Sequence, residues 1–155
     1  MTVAATSLAD ELVITRDIAA PRERVFAAWT DIRQASRWWA PQDFTTLSCD
    51  MDARPGGAWR RRMRAPDGTV VTKRGVYHEI AAPERLVFTY RTESGGVIDP
   101  ETLVTLTFAD LGDRTRLTLR QTAFQSDAAR LDHRGGWTGA LERLATFIAT
   151  EGAAP

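Results

Sequence analysis

The densest store of chemically capable side chains is the run Ala58–Arg64, which carries arginines at 60, 61 and 62 between Trp59 and Met63 and a fourth at 64. Its composition reads as a strand, and successive side chains on a strand point to opposite faces. Alternation therefore groups Trp59, Arg61 and Met63 on one face and Ala58, Arg60, Arg62 and Arg64 on the other. If the first face is the apolar one, Arg61 goes inward with it. A guanidinium in an apolar interior needs a partner, because an isolated buried charge is very costly. Two partners compete for Arg61. One is an anionic ligand group, a carboxylate or an enolate. The other is an internal acid, or a place near the strand end from which the head reaches water. Arg60, Arg62 and Arg64 are expected on a solvated sheet face.

The remaining polar candidates form no catalytic set. Tyr77, His78 and Glu79 are consecutive, so His78 cannot share a pocket with both neighbours, which argues against an acid–base dyad. His133 lies far along the chain, and no H-x-x-x-H pair or carboxylate cluster marks a metal site. Cys49 is the single cysteine, which excludes an internal disulfide and a multi-cysteine metal site, and nothing around it marks a nucleophile. There is no glycine-rich phosphate loop and no G-x-S-x-G elbow. No catalytic residue, metal or cofactor is expected, and binding is the expected chemistry. Aromatic residues supply the surface for it: Trp38, Trp39, Phe44, Trp59, Tyr77, Phe88, Tyr90 and Trp137. Most such residues make core, but some line any cavity, and Trp38, Trp59, Tyr77 and Trp137 are favoured. With Arg61, Met63, Phe88, Tyr90 and Leu141 they make the expected cavity wall.

The elements that must position these residues follow from periodicity. Leu12, Ile14 and Ile18 alternate through a strand over 11–19. Pro21 suits a first helical turn, and Val25, Phe26, Trp29 and Ile32 then recur at helical spacing. Asp31 with Gln34 resembles a capping box that opens a second short helix, ending near Trp38-Trp39 ahead of Pro41. Six strand-like runs follow, over 46–51, 58–64, 69–80, 85–92, 102–109 and 114–122, separated by glycine- and proline-rich turns. Consecutive strands with short connections make an antiparallel meander. A long helix closes the chain, with Ser126 as N-cap. Its stripe is Trp137, Leu141, Leu144 and Ile148, widened by Ala140 and Phe147, while Glu142, Arg143 and Thr146 face away. Gly135-Gly136 is the weak point: the helix begins after the pair, or the pair marks a kink or a close approach.

A seven-stranded sheet with one apolar face has to cover it, and the last helix is the only long amphipathic element available. Twisted sheets curl as they widen, so one helix leaves part of the concave side to large side chains or to a pocket. The fold class is therefore α+β, a helix grip: a curved seven-stranded antiparallel sheet, two short helices after strand one, and a long C-terminal helix over the concave face. Residues 1–10 read as a disordered N-terminus, 11–150 as a single domain and 151–155 as a flexible tail.

Composition sets the outer limits. Lys plus Arg and Asp plus Glu number 20 each, so a charge-driven grip on nucleic acid or on an anionic membrane surface is not expected. No apolar run is long enough to span a bilayer. The segment MTVAATSLADEL has no basic stretch leading into an apolar core, so no secretion signal is expected and the location is taken as cytoplasmic. A monomer or weak homodimer is expected.

Several motifs, in order, resemble the START-type SRPBCC superfamily, and within it the branch named for activators of the heat-shock protein 90 ATPase. They are Arg16-Asp17-Ile18-Ala19-Ala20-Pro21, Val25-Phe26-Ala27-Ala28-Trp29-Thr30-Asp31, Trp38-Trp39-Ala40-Pro41 and Pro55-Gly56-Gly57. Met63-Arg64-Ala65-Pro66-Asp67-Gly68, Gly75-Val76-Tyr77-His78-Glu79-Ile80, the run from Pro83 to Tyr90, and Gly136-Trp137 continue them. The resemblance covers residues 11 to 150. It implies the grip fold and a cavity for lipids, hormones, polyketides or other apolar molecules. It also implies three classes of function: a non-catalytic binder of a small hydrophobic or amphipathic molecule, a cyclase- or hydrolase-like enzyme holding an enolate with Arg61 and Tyr77, or a chaperone-associated module tied to stress response.

Overall fold

The structure, a computed structural model, describes residues 11–41, 43–124 and 126–151, without the side chain of Glu151. The expected disordered segment 1–10 and the tail beyond 151 lie outside the described residues, whereas Glu151 itself ends a helix.

The described residues form eight strands and three helices. Strand β1 (Leu12–Ile18) leads into helices α1 (Arg22–Thr30) and α2 (Ile32–Trp38). Strands β2 (Thr45–Met51), β3 (Ala58–Arg64), β4 (Val70–Ala81), β5 (Arg85–Ser94), β6 (Val97–Ile98), β7 (Thr102–Asp110) and β8 (Thr115–Thr122) follow, and α3 (Asp127–Glu151) closes the fold. The sheet is antiparallel and curved, in the order β1-β8-β7-β5-β4-β3-β2, with β6 paired to the end of β5. It has eight strands where seven are expected. The extra one is the two-residue β6, made by a turn at Gly95-Gly96 whose φ values of 58° and 82° suit a tight hairpin reversal.

Local chemistry explains the helix ends. The Asp31 carboxylate accepts from Arg33 N at 3.0 Å and so caps α2. The expected capping box does not close: Gln34 Nε2 donates to the Asp31 side chain at 3.2 Å, and Gln34 Oε1 accepts from Arg24 at 2.6 Å. Ser126 Oγ accepts from Ala129 N at 3.1 Å, and α3 then runs through Gly135-Gly136 without a break. Neither glycine marks a close approach, since a Cβ at either would meet nothing within 4 Å.

The inner face of the sheet is apolar and the helices cover it. Val104, Leu106 and Phe108 on β7 and Leu117 and Leu119 on β8 are buried. Phe26 of α1 meets Phe108 edge to face at 5.1 Å. From α3, Trp137, Ala140, Leu141, Leu144, Phe147 and Ile148 are buried, but none of residues 127–136 is. The second half of α3 therefore clamps the core, while its first turns stand over open space. On the sheet below, Gly75 allows a close approach: a Cβ there would lie 1.8 Å from the Thr89 carbonyl oxygen and 2.7 Å from Trp59 Nε1.

Candidate ligand-binding site

Three side chains of β3 set the site's floor. Trp59, Arg61 and Met63 are 2%, 2% and 1% exposed, so alternation does carry the arginine inside. Register then fixes its neighbours. Arg61 pairs with Cys49 on β2 and with Lys73 on β4, and Lys73 pairs with Thr92 on β5. Pairs in register share a face, so Cys49, Arg61, Lys73 and Thr92 form one row across the inner side of the sheet.

A cavity of about 210 Å³ lies between this row and α3. Trp39, Met63, Tyr90, Trp137 and Ala140 form its apolar wall, and Arg61, Lys73, Arg143, Asp132 and His133 its polar one, with Pro41 and Gly136 completing the rim. A second cavity of about 280 Å³ adjoins it beyond Tyr90, Asp132 and His133, which line both.

The electrostatics centre on Arg61. Its guanidinium carbon stacks 4.1 Å from the centre of the Trp39 ring, yet Nε and Nη1 are buried with no hydrogen-bond partner. Among the described residues, no carboxylate lies within ion-pair distance of it. Burial pushes its pKa well below the ordinary guanidinium range, to about 10. Neither Cys49 nor Tyr77 offers a negative charge in exchange, because burial pushes the thiol and the phenol upward. The internal acid considered for Arg61 is therefore not there among the described residues, and the guanidinium lies on the cavity wall.

The other cations are better supplied. Lys73 Nζ donates to Thr92 Oγ1 at 3.0 Å and sits 5.4 Å from the Tyr90 ring. Arg143 Nε donates to the Trp38 carbonyl at 3.1 Å and Nη2 to the Trp39 carbonyl at 3.4 Å. It thus caps the C-terminal end of α2, where the helix dipole favours a cation. Facing away was the expectation for Arg143; its long side chain instead reaches back across the inter-helix gap and onto the cavity.

A buried hydrogen-bond chain holds the far wall. Trp137 Nε1 donates to Gln121 Oε1 at 2.8 Å, Gln121 Nε2 to Thr102 Oγ1 at 2.8 Å, and Thr102 Oγ1 to the Tyr90 carbonyl at 3.0 Å. Every link is satisfied, so the chain locks Trp137 and the Tyr90 backbone in place. His133 Nδ1 lies 2.9 Å from the Ala129 carbonyl oxygen, which can only accept, so Nδ1 carries the proton of this hydrogen bond.

Of the side chains expected on the cavity wall, Arg61, Met63, Tyr90 and Trp137 line it. Trp38, Trp59, Tyr77, Phe88 and Leu141 do not; they pack in the core around it. Trp38 is the instructive correction. It shares the buried side of α2 with Ala35, meets Trp29 at 4.7 Å and donates from Nε1 to the Ala28 carbonyl at 2.9 Å. One residue further round the helix, Trp39 takes the cavity, stacked on Trp59 at 5.3 Å. Tyr77 meets Phe88 at 6.2 Å, its hydroxyl is buried without a partner, and it is not among the residues that line this cavity. His78 and Glu79 are both exposed because a bulge between Tyr77 and Glu79 breaks the alternation.

Sequence reasoning passed over Trp39, Lys73, Arg143, Asp132 and His133 as wall residues. Lys73 had a signal: the tight turn around Pro66-Asp67-Gly68 pairs Arg64 with Val70, and counting back sets Lys73 opposite Arg61. Among the described residues, no His, Cys, Asp or Glu group clusters to hold a metal ion, and no helix is long and apolar enough to cross a membrane.

Residues 19–149 match the family model described as activator of Hsp90 ATPase homolog 1-like protein. None of the curated proteins matches the chain. Solved structures do. A Rhizobium leguminosarum protein is 27% identical, with a TM-score of 0.81 over 91% of this chain and 95% of that one. A Chromobacterium violaceum protein is 28% identical, with a TM-score of 0.78 over 90% and 96%. The AHSA1 protein of Silicibacter pomeroyi is 25% identical, with a TM-score of 0.80 over 91% and 99%.

Proposed function

The chain belongs to the activator of Hsp90 ATPase homolog 1-like family, and from that premise we propose that it binds a small amphipathic anion, charge on Arg61 and flat body among Trp39, Tyr90 and Trp137. The observation that carries the proposal is the unpaired guanidinium. A charge 2% exposed and without an ion-pair partner destabilises the empty protein. A ligand anion removes that cost while gaining charge-assisted hydrogen bonds. The surrounding rings suit a planar apolar body, and Trp39 holds the guanidinium plane in place for it. At about 210 Å³ the cavity is smaller than the ~300–1,000 Å³ typical of drug-sized ligands, which favours a compact aromatic acid over a long lipid.

Native mass spectrometry of freshly purified protein would identify what travels with it. Calorimetric titration with benzoate and naphthoate then measures the anion site, with Arg61→Ala as the comparison. Binding by the wild type and its loss in the variant are expected. Equal binding by both proteins, or silence from every aromatic acid, would sink the proposal.

The family description itself favours a second reading, a chaperone as partner. Its sign would be a complex with a heat-shock protein 90 homologue that survives Arg61→Ala, which would move function from the cavity to the surface.

A further inference from the structure

Resting on that anion-binding reading, we propose that the cavity is built for a doubly charged head group, a phosphate monoester in place of a carboxylate. The reason is the charge inventory of its wall. Arg61 and Lys73 stand directly opposite each other on β3 and β4, and both line the same cavity. Like charges so placed in a sheet repel, with Cβ atoms only about 4.5–5.5 Å apart. Neither cation has a carboxylate partner: Arg61 has only the Trp39 face, and Lys73 only the Thr92 hydroxyl and the Tyr90 ring. Arg143 adds a third positive charge, offset in part by the Trp38 and Trp39 carbonyls at the end of α2. Against these stands Asp132, exposed at the rim.

A single carboxylate neutralises Arg61 and leaves Lys73 facing it. A phosphate monoester carries the second charge, and its three terminal oxygens can serve a guanidinium fork and an ammonium together. Its organic group then meets the same aromatic wall of Trp39, Tyr90 and Trp137.

Two probes of one shape isolate the charge. Phenyl phosphate is a dianion at about pH 8, well above its second pKa of ~6, whereas phenyl sulfate carries one charge. Calorimetry on the full chain should find the phosphate at least ~10-fold tighter than the sulfate. In Lys73→Met, whose altered side chain is partly exposed and outside the core, that ratio should fall to within about threefold. A wild-type ratio near one would overturn the dianion proposal and leave the anion site standing. If neither phenyl probe binds while benzoate does, the dianion proposal likewise falls alone. If all three are silent, both proposals fall. A ratio unchanged in Lys73→Met would remove Lys73 as the source of the preference and with it the argument for two charges.

Discussion

Replacing Arg61 with methionine should stabilise the empty protein. Arg61 is 2% exposed, and its pKa falls from the ordinary guanidinium range to about 10 because burial disfavours the charged form. At 1.36 kcal/mol for each pH unit, that fall corresponds to roughly 3 kcal/mol lost to keeping the charge inside. The stack on Trp39 gives back about 1–2 kcal/mol. Methionine keeps most of the side chain's apolar length and carries no charge, so Arg61→Met should gain about 1–2 kcal/mol. For a domain of this size that raises Tm by roughly 3–6 °C. Urea unfolding followed by tryptophan fluorescence at neutral pH would read it as a higher midpoint, by about 0.5–1 M. The penalty is fully present below the folded pKa of about 10 and is relieved as pH rises from there toward 12.5, so the gap between variant and wild type should close in that interval. A variant less stable than the wild type by more than about 1 kcal/mol at neutral pH would refute the reasoning, because it would mean that Arg61 is already well compensated.

Three further outcomes follow from the same geometry. Gly136→Leu removes a helix-interior glycine that lines the cavity and has no atom within 4 Å of an added Cβ; it should raise stability by about 1 kcal/mol in thermal unfolding while blocking benzoate binding. Gln121→Leu strands the buried Trp137 indole N–H and should cost about 1–3 kcal/mol in denaturant unfolding, with a shifted tryptophan emission as the wall loosens. Asp17→Asn removes a carboxylate that Arg116 and Arg114 hold below its ordinary pKa of 3.8, so the variant should be less stable above that pH, and the difference should fade as the pH is taken below it in an acid titration.

The fold was legible because its signals are local. Alternation in Val104, Leu106 and Phe108 and the stripe Trp137, Leu141, Leu144 and Ile148 report which faces are buried, and all of these residues are. The two-residue β6 escaped because a run that short carries no period. The site was legible only in part. Trp38 and Trp39 are alike in composition and adjacent in sequence, and they separate only through the rotation of α2 against α1 and the sheet. Arg143 looked outward by helical phase, but a long side chain can turn back to the carbonyls that end another helix.

Arg61 marks the boundary between the two kinds of knowledge. The sequence by itself determined that this arginine shares a face with Trp59 and Met63, because strand alternation is a property of the backbone and needs no partner. Only the tertiary structure decided that nothing inside answers its charge. Partners across a fold come from distant segments, and here those segments bring Lys73 and Arg143 to the cavity wall, with Asp132 only at its rim and out of ion-pair reach. The open space is likewise a tertiary outcome. It exists because the first turns of α3 stand clear of the sheet while the later turns bury Leu141, Leu144 and Ile148, a difference of packing that residue types alone do not encode.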